Sequence, residues 1–308
     1  MGKKGFKKLF IWVCIILAGL LIIRHSDAFN KPLIPPASSS GDDPVLRIDR
    51  EEYQAYGKGD VHLGELILVS QGAPYEGSDS AEELVCVYDW QSSSFKVRDR
   101  TVQLKKEVME PLNRMMDEFC GQRNFGDMTV FSGFRGYDEQ KELYDEEVAK
   151  RKEEAAFLVA QPGCSEHHTG YAFDLGIVDD EGQSTGFVDH EQSLWFAENA
   201  YQYGFVLRYP EEKKALTGIA YEPWHFRYVG RPHAFIMYDE TFCLEEYLDF
   251  LKTYEFGQRH LVTTDFDGGE YEIYFVPVGK MIMVPKSHAY NVSGNNQDGY
   301  IVTVDLAS

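Results

Sequence analysis

"SEHHTGYAFD" (165–174) sets two histidines, a serine, a glutamate and an aspartate among small residues. The run continues into "GYAFDLGIV" (170–178), whose alternation reads as a strand. Side chains on a strand point to opposite faces in turn. Gly170, Ala172 and Asp174 therefore share one face, and Tyr171, Phe173 and Leu175 share the other. The aromatic face is core. The opposite face leaves open space beside a carboxylate, and His167 or His168, just before the strand, can fold over it. A buried aspartate needs a partner, because an uncompensated charge in the interior is strongly destabilising. A metal with histidine co-ligands is one partner; a lysine across a surface turn is the other.

A second segment supplies matching parts. In "AYEPWHFRYVG" (220–230), a strand from Trp224 to Val229 puts His225, Arg227 and Val229 on one face and Trp224, Phe226 and Tyr228 toward the core. Glu222 precedes it, its backbone restricted to an extended or turning form by Pro223. Two histidines and a carboxylate as ligands, with one more carboxylate as base, are the components of a catalytic zinc site with an open position. The plain alternative for Glu222 is an ion pair with Arg227 or Arg231.

Around these segments the chain reads as mixed α and β. "GELILVS" (64–70) and "MTVFSGFR" (128–135) have the look of strands. Helical spacing runs from Val102 to Cys120, with Pro111 as a kink or a second start, and again over 138–156, 194–205 and 243–251. Beyond residue 256 the pattern becomes short strands at 271–278, 280–286 and 299–306, a small β-appendage of three or four strands without a visible titratable cluster. His260 and His288 read as surface or packing residues.

The 308 residues are 44% hydrophobic and 14% aromatic, the composition of a folded chain. Net charge is −20, and the first 24 residues carry five Lys/Arg and no acid, leaving 25 bases against 50 acids beyond them. So acidic a body is unsuited to gripping phosphate backbones, which excludes nucleic acid as the expected partner. The N-terminus has Lys3, Lys4, Lys7 and Lys8 before fifteen apolar residues, Leu9–Ile23. That pattern predicts export, as a cleaved signal peptide (Ser26 and Ala28 offer a small-x-small site) or as a membrane signal-anchor. Cys14 lies in the apolar run without the small residues of a lipoprotein signal. A Pro- and Ser-rich tether follows, so the expected organisation is signal segment 1–28, linker 29–45, catalytic domain 46–255 and β-appendage 256–308. Cys86, Cys120, Cys164 and Cys243 show no CxxC spacing, and connectivity is not legible from them.

"SEHHTGYAFD" matches the Ser-x-His-x-x-Gly-x-Ala-x-Asp signature, and "EPWH" (222–225) the Glu-x-x-His signature, of zinc D-alanyl-D-alanine carboxypeptidases of the VanY type. "SGFRGYDEQKELY" (132–144) resembles the same family's Ser-Gly-Tyr-Arg-Ser…Gln segment, with Phe134 for Tyr and Gly136 for Ser. The resemblance covers roughly residues 45–250. It implies an α+β fold: a small central antiparallel sheet flanked by helices, shared with VanX dipeptidases and the Hedgehog signalling domain. It also implies Zn2+ on His167, Asp174 and His225, Glu222 as general base, and Arg135 stabilising the developing oxyanion. Gln140 would hydrogen-bond the peptide. Ser165 would hold the terminal carboxylate, or simply cap a turn. His168 falls on a variable position. The implied substrate is the terminal D-Ala of peptidoglycan stem peptides. The rivals are an L,D-carboxypeptidase trimming tetrapeptides, an endopeptidase of the same group, and a non-catalytic zinc-bearing module, against which a free base at Glu222 argues.

Overall fold

The computed structural model describes residue 48 and residues 52–77, 83–123, 127–152, 158–178, 184–185, 187 and 191–308. The expected signal segment and the whole of the linker lie outside the described residues, as does the end of the 138–156 helix.

A central sheet carries the aromatic strand. Its strands are β1 (Lys96–Val97), β2 (Met128–Ser132), β3 (Ala172–Val178), β4 (Ser184–Thr185), β5 (Phe205–Leu207) and β6 (His225–Tyr228). The order is β1-β2-β3-β6-β5, with β4 pairing the end of β3. All neighbours are antiparallel except the edge pair β1–β2, which is parallel. The aromatic face is core, as alternation requires: Tyr171, Phe173, Leu175 and Phe226 join Leu112, Met115, Met116 and Phe119 of the helix Met109–Arg123, and Trp195 and Phe196 of the helix Glu191–Asn199. Burying each of these large side chains contributes roughly 1.5–3 kcal/mol, so this face alone anchors the sheet. The opposite face is left for chemistry.

Expected elements differ most in two places. Helical spacing from Val102 begins as a strand, Gln103–Lys105, and a 3-10 turn; the α-helix starts at Met109. Pro111 therefore falls in the first turn, where its missing N–H breaks no helical bond, rather than at a kink. The stretch 64–70 is buried at Leu66–Val69 but is not a strand. Side chains take its backbone instead: Arg227 donates to the carbonyls of Glu65 and Ile67, Asn296 to that of Leu68, and Ser293 Oγ accepts from Leu66 N–H.

The tail forms a four-stranded antiparallel sheet of β7 (Leu261–Thr264), β8 (Glu270–Pro277), β9 (Tyr290–Gly294) and β10 (Gly299–Asp305), in the order β7-β8-β10-β9. Met283–Pro285 pairs outside it, with Tyr53–Ala55. Asp43–Ser308 is one compact unit, which contains both the tail and the body with the signature residues. The tail does hold a titratable cluster, which corrects the reading of 256–308: His260 Nδ1 and Tyr53 Oη both donate to Glu272 Oε1 in its interior. Strand pairing and a residue 219 positions away assemble it, and neither is visible in local sequence. Cys86, Cys120, Cys164 and Cys243 are free thiols.

Candidate active site

The signature histidines sit on a 3-10 turn, Glu166–Thr169, that leads into β3. Ser165 caps the turn, its hydroxyl accepting from His167 N–H. Gly170 closes it in the left-handed region at φ 73°, where an added Cβ would also lie 2.8 Å from Leu84 Cδ2. The turn is stitched to the loop after β2. His167 Nδ1 lies 2.6 Å from the Gly133 carbonyl, Arg135 N–H donates to the His167 carbonyl, and His168 Nδ1 lies 2.6 Å from the Arg135 carbonyl. Gly133 is obligatory here, because a Cβ on it would sit 2.2 Å from the Gln103 carbonyl oxygen.

These bonds fix the tautomers. A carbonyl oxygen only accepts, so the Nδ1 of each histidine carries the proton. His168 Nε2 then accepts from Gly163 N–H, which makes His168 a structural pin for Arg135. His167 Nε2 keeps its lone pair and faces Asp174 Oδ2 at 3.3 Å. His225, the first residue of β6, pairs with Asp174 across the sheet, its Nδ1 3.1 Å from Asp174 Oδ1. Glu222 and His225 are the ends of a β-turn closed by His225 N–H to the Glu222 carbonyl, with Pro223 at the position that favours it. That turn brings the Glu222 carboxylate 3.8 Å from His225 Nδ1. Neither arginine foreseen as its alternative partner takes it: Arg227 pairs with Glu166, and Arg231 with Asp265 and Asp267.

His167, Asp174 and His225 each offer a ligand atom within 4.8 Å of the others. The electrostatics suit a cation. Burial works against the charge of Asp174, yet the two histidines hold its carboxyl well below the usual range. Burial likewise opposes charge on His225, but Asp174 and Glu166 pull it up to about 9. Burial raises Glu222 to about 7, with Asp174 adding to the effect, where a carboxyl exchanges protons near neutrality. All four line a cavity of about 180 Å3 with Leu158, Ile219 and Trp224 among its apolar walls. A larger cavity of about 1020 Å3 elsewhere gathers none of these four.

Arg135 reaches the same cavity, its Nη2 4.0 Å from Asp174 Oδ2. Two side chains aim it: Nη1 donates to Gln140 Oε1 at 2.8 Å and Nη2 to Ser132 Oγ at 2.9 Å. A β-bulge between Val130 and Ser132 restores the register that sets Ser132 opposite Asp174. Gln140 lines the cavity as well; it is 1% exposed, and its amide also holds Arg135 at one end and the Ala160 carbonyl at the other. Sequence reading passed over Ser132 and Glu166, although both lie inside the quoted motifs.

Comparison with known proteins gives the family. The profile of the VanY family, described as D-alanyl-D-alanine carboxypeptidase, matches residues 101–231. A D-alanyl-D-alanine carboxypeptidase of Enterococcus faecium is 36% identical over 248 residues, 79% of this chain and 76% of the relative. The chain belongs to the VanY family. Its fold is that of the vancomycin-resistance D,D-dipeptidase VanXYg, solved with a D-Ala-D-Ala phosphinate analogue: TM-score 0.71, 33% identity, over 82% of this chain and 98% of that one. The LD-carboxypeptidase LdcB is also similar, with TM-score 0.50 and 34% identity over 59% of this chain and 84% of LdcB. As a VanY-family protein the chain is a peptidase, and its own signature residues converge on one cavity.

Proposed function

We propose that this chain is a zinc D,D-carboxypeptidase that removes the C-terminal D-alanine from peptidoglycan stem peptides ending in D-Ala-D-Ala. The observation that carries the reading is the convergence of His167, Asp174 and His225 with Glu222 at the mouth of their cluster. Two imidazoles and one carboxylate fit zinc, with His225 giving up its extra proton when the ion binds; His167 fits by tautomer, since its bond to Gly133 leaves only Nε2 to coordinate. When bound, zinc supplies Lewis-acid polarisation of the scissile carbonyl and acidifies a water.

The chain's own residues do the rest. Glu222, raised to about 7, accepts a proton from the attacking water and passes it to the departing amine nitrogen as the C–N bond breaks. Arg135, held rigid by Gln140 and Ser132, presents a guanidinium to the oxygen that gains negative charge. Ser165 and Arg135 line the same cavity and offer donors to a terminal carboxylate. The lysine-flanked apolar run Leu9–Ile23 supports a location outside the membrane, tethered to it and beside the wall.

The likeness to LdcB supports L,D-cleavage of tetrapeptides as the second reading. The test is incubation of the zinc-loaded chain with muropeptide pentapeptide and tetrapeptide, followed by mass. The expected result is loss of one alanine from pentapeptide only. Loss from tetrapeptide only would transfer the assignment to L,D-cleavage.

A further inference from the structure

Glu166 stands next to a metal-ligand candidate in sequence but points the other way. It lies beneath His225, fully buried, with no charge-bearing solvent contact. Its Oε1 accepts from Arg208 Nε at 2.8 Å and from Arg227 Nη1 at 2.9 Å. Its Oε2 has no hydrogen-bond partner, and neither has the buried Nε2 of His225. These two atoms, one an acceptor and the other a ring nitrogen able to donate, face each other across 3.6 Å.

We infer that Glu166 is a positioning residue that holds His225 in the tautomer and orientation needed to offer Nδ1 to the metal. This rests on the zinc reading above. The Nδ1 of His225 faces Asp174 and Glu222, so coordination from that side leaves the proton on Nε2, where only a carboxylate below can receive it. An imidazole whose second nitrogen donates to a carboxylate is a fixed and more basic ligand.

The carboxylate is itself fixed. Arg208 is gripped at both terminal nitrogens by Glu245, from the first turn of the helix Leu244–Leu251, and Arg227 by the carbonyls of Glu65 and Ile67. Two arginines and two glutamates make a group without net charge, which offsets the cost of burying them. Both arginines donate to the carboxylate, which holds it in place as an acceptor. A purely structural role would end with the neutralised arginines. The idle oxygen aimed at an idle ring nitrogen is what that role leaves over.

Zinc affinity separates the two roles. In the purified full-length chain, competition with a chromophoric chelator should show Glu166→Gln binding zinc about 10–100-fold more weakly than the unsubstituted chain. Glu245→Gln removes a carboxylate from the same arginine without touching His225; it should lose thermal stability and keep zinc affinity. Equal zinc affinity in Glu166→Gln and the unsubstituted chain, or equal weakening in both variants, would overturn the inference. If Glu166→Gln does not fold, 15N-histidine spectra of the unsubstituted zinc-loaded chain decide: a protonated, slowly exchanging Nε2 on His225 is expected, and a metal-bound Nε2 would refute it. An unsubstituted chain that takes up no zinc would instead bring down the zinc reading itself.

Discussion

Two places in this molecule bury a histidine against a carboxylate, and they do opposite things. In the tail, His260 and Glu272 are both fully buried, and each histidine nitrogen is taken: Nδ1 by Glu272, Nε2 by Gly257 N–H. In the body, His167 Nε2 and His225 Nδ1 both turn to Asp174 with a cavity in front of them. Burial is common to both. What differs is the convergence of three possible ligand atoms on a space that something can enter. A sealed pair is a strut between β8 and the segment before β7; an open cluster is a site.

The sharpest break between the two regions is kinetic. Glu222→Gln should lower kcat/KM on pentapeptide by about 10²–10⁴-fold, the usual worth of a general acid–base, while zinc content stays unchanged. A fall of less than tenfold would remove Glu222 from the proton path.

Glu65 sharpens the comparison from another side. Burial raises its carboxyl to about 7, as it does Glu222, but Glu65 belongs to no metal cluster, and its Oε1 accepts from Asn291. Because the folded-state value lies above the unfolded one, its contribution is fully present below the ordinary carboxyl range. That contribution is lost as pH rises through about 7. Unfolding followed from pH 4 to 8 should show Glu65→Gln abolishing about 3 kcal/mol of this decline, with kcat untouched. An unchanged pH profile of stability would show that Glu65 is not charged at a cost in the fold.

The smallest effect belongs to the sealed cluster. Glu272→Gln replaces a carboxylate that accepts from both Tyr53 and His260, and should cost about 1–3 kcal/mol in denaturant melts. Its turnover of pentapeptide should equal that of the unsubstituted chain; a large kinetic defect would mean that tail and site are coupled.

The same contrast explains what could be read in advance. The strand through Asp174 was legible because alternation is local, and the turn at Glu222 because Pro223 restricts its neighbours. The apolar run 64–70 misled, since burial was visible but not the Arg227, Asn296 and Ser293 side chains that replace a sheet ladder. The helix Arg231–Asp239 was missed although Gly230 and Pro232 mark its start. Glu166, Arg208 and Arg227 meet across 42 and 61 residues of chain, and charge pairing at that distance leaves no local trace. The partners of Gln140, Arg135 at one end and the Ala160 carbonyl at the other, are not legible, because spacing locates a side chain without saying what its two ends will touch.

Metal stoichiometry tests the distinction most directly. After chelation and reloading, the unsubstituted chain and Glu272→Gln should each retain one zinc, while Asp174→Ala retains none. Zinc held by Asp174→Ala, or lost from Glu272→Gln, would contradict the assignment of the open cluster as the metal centre.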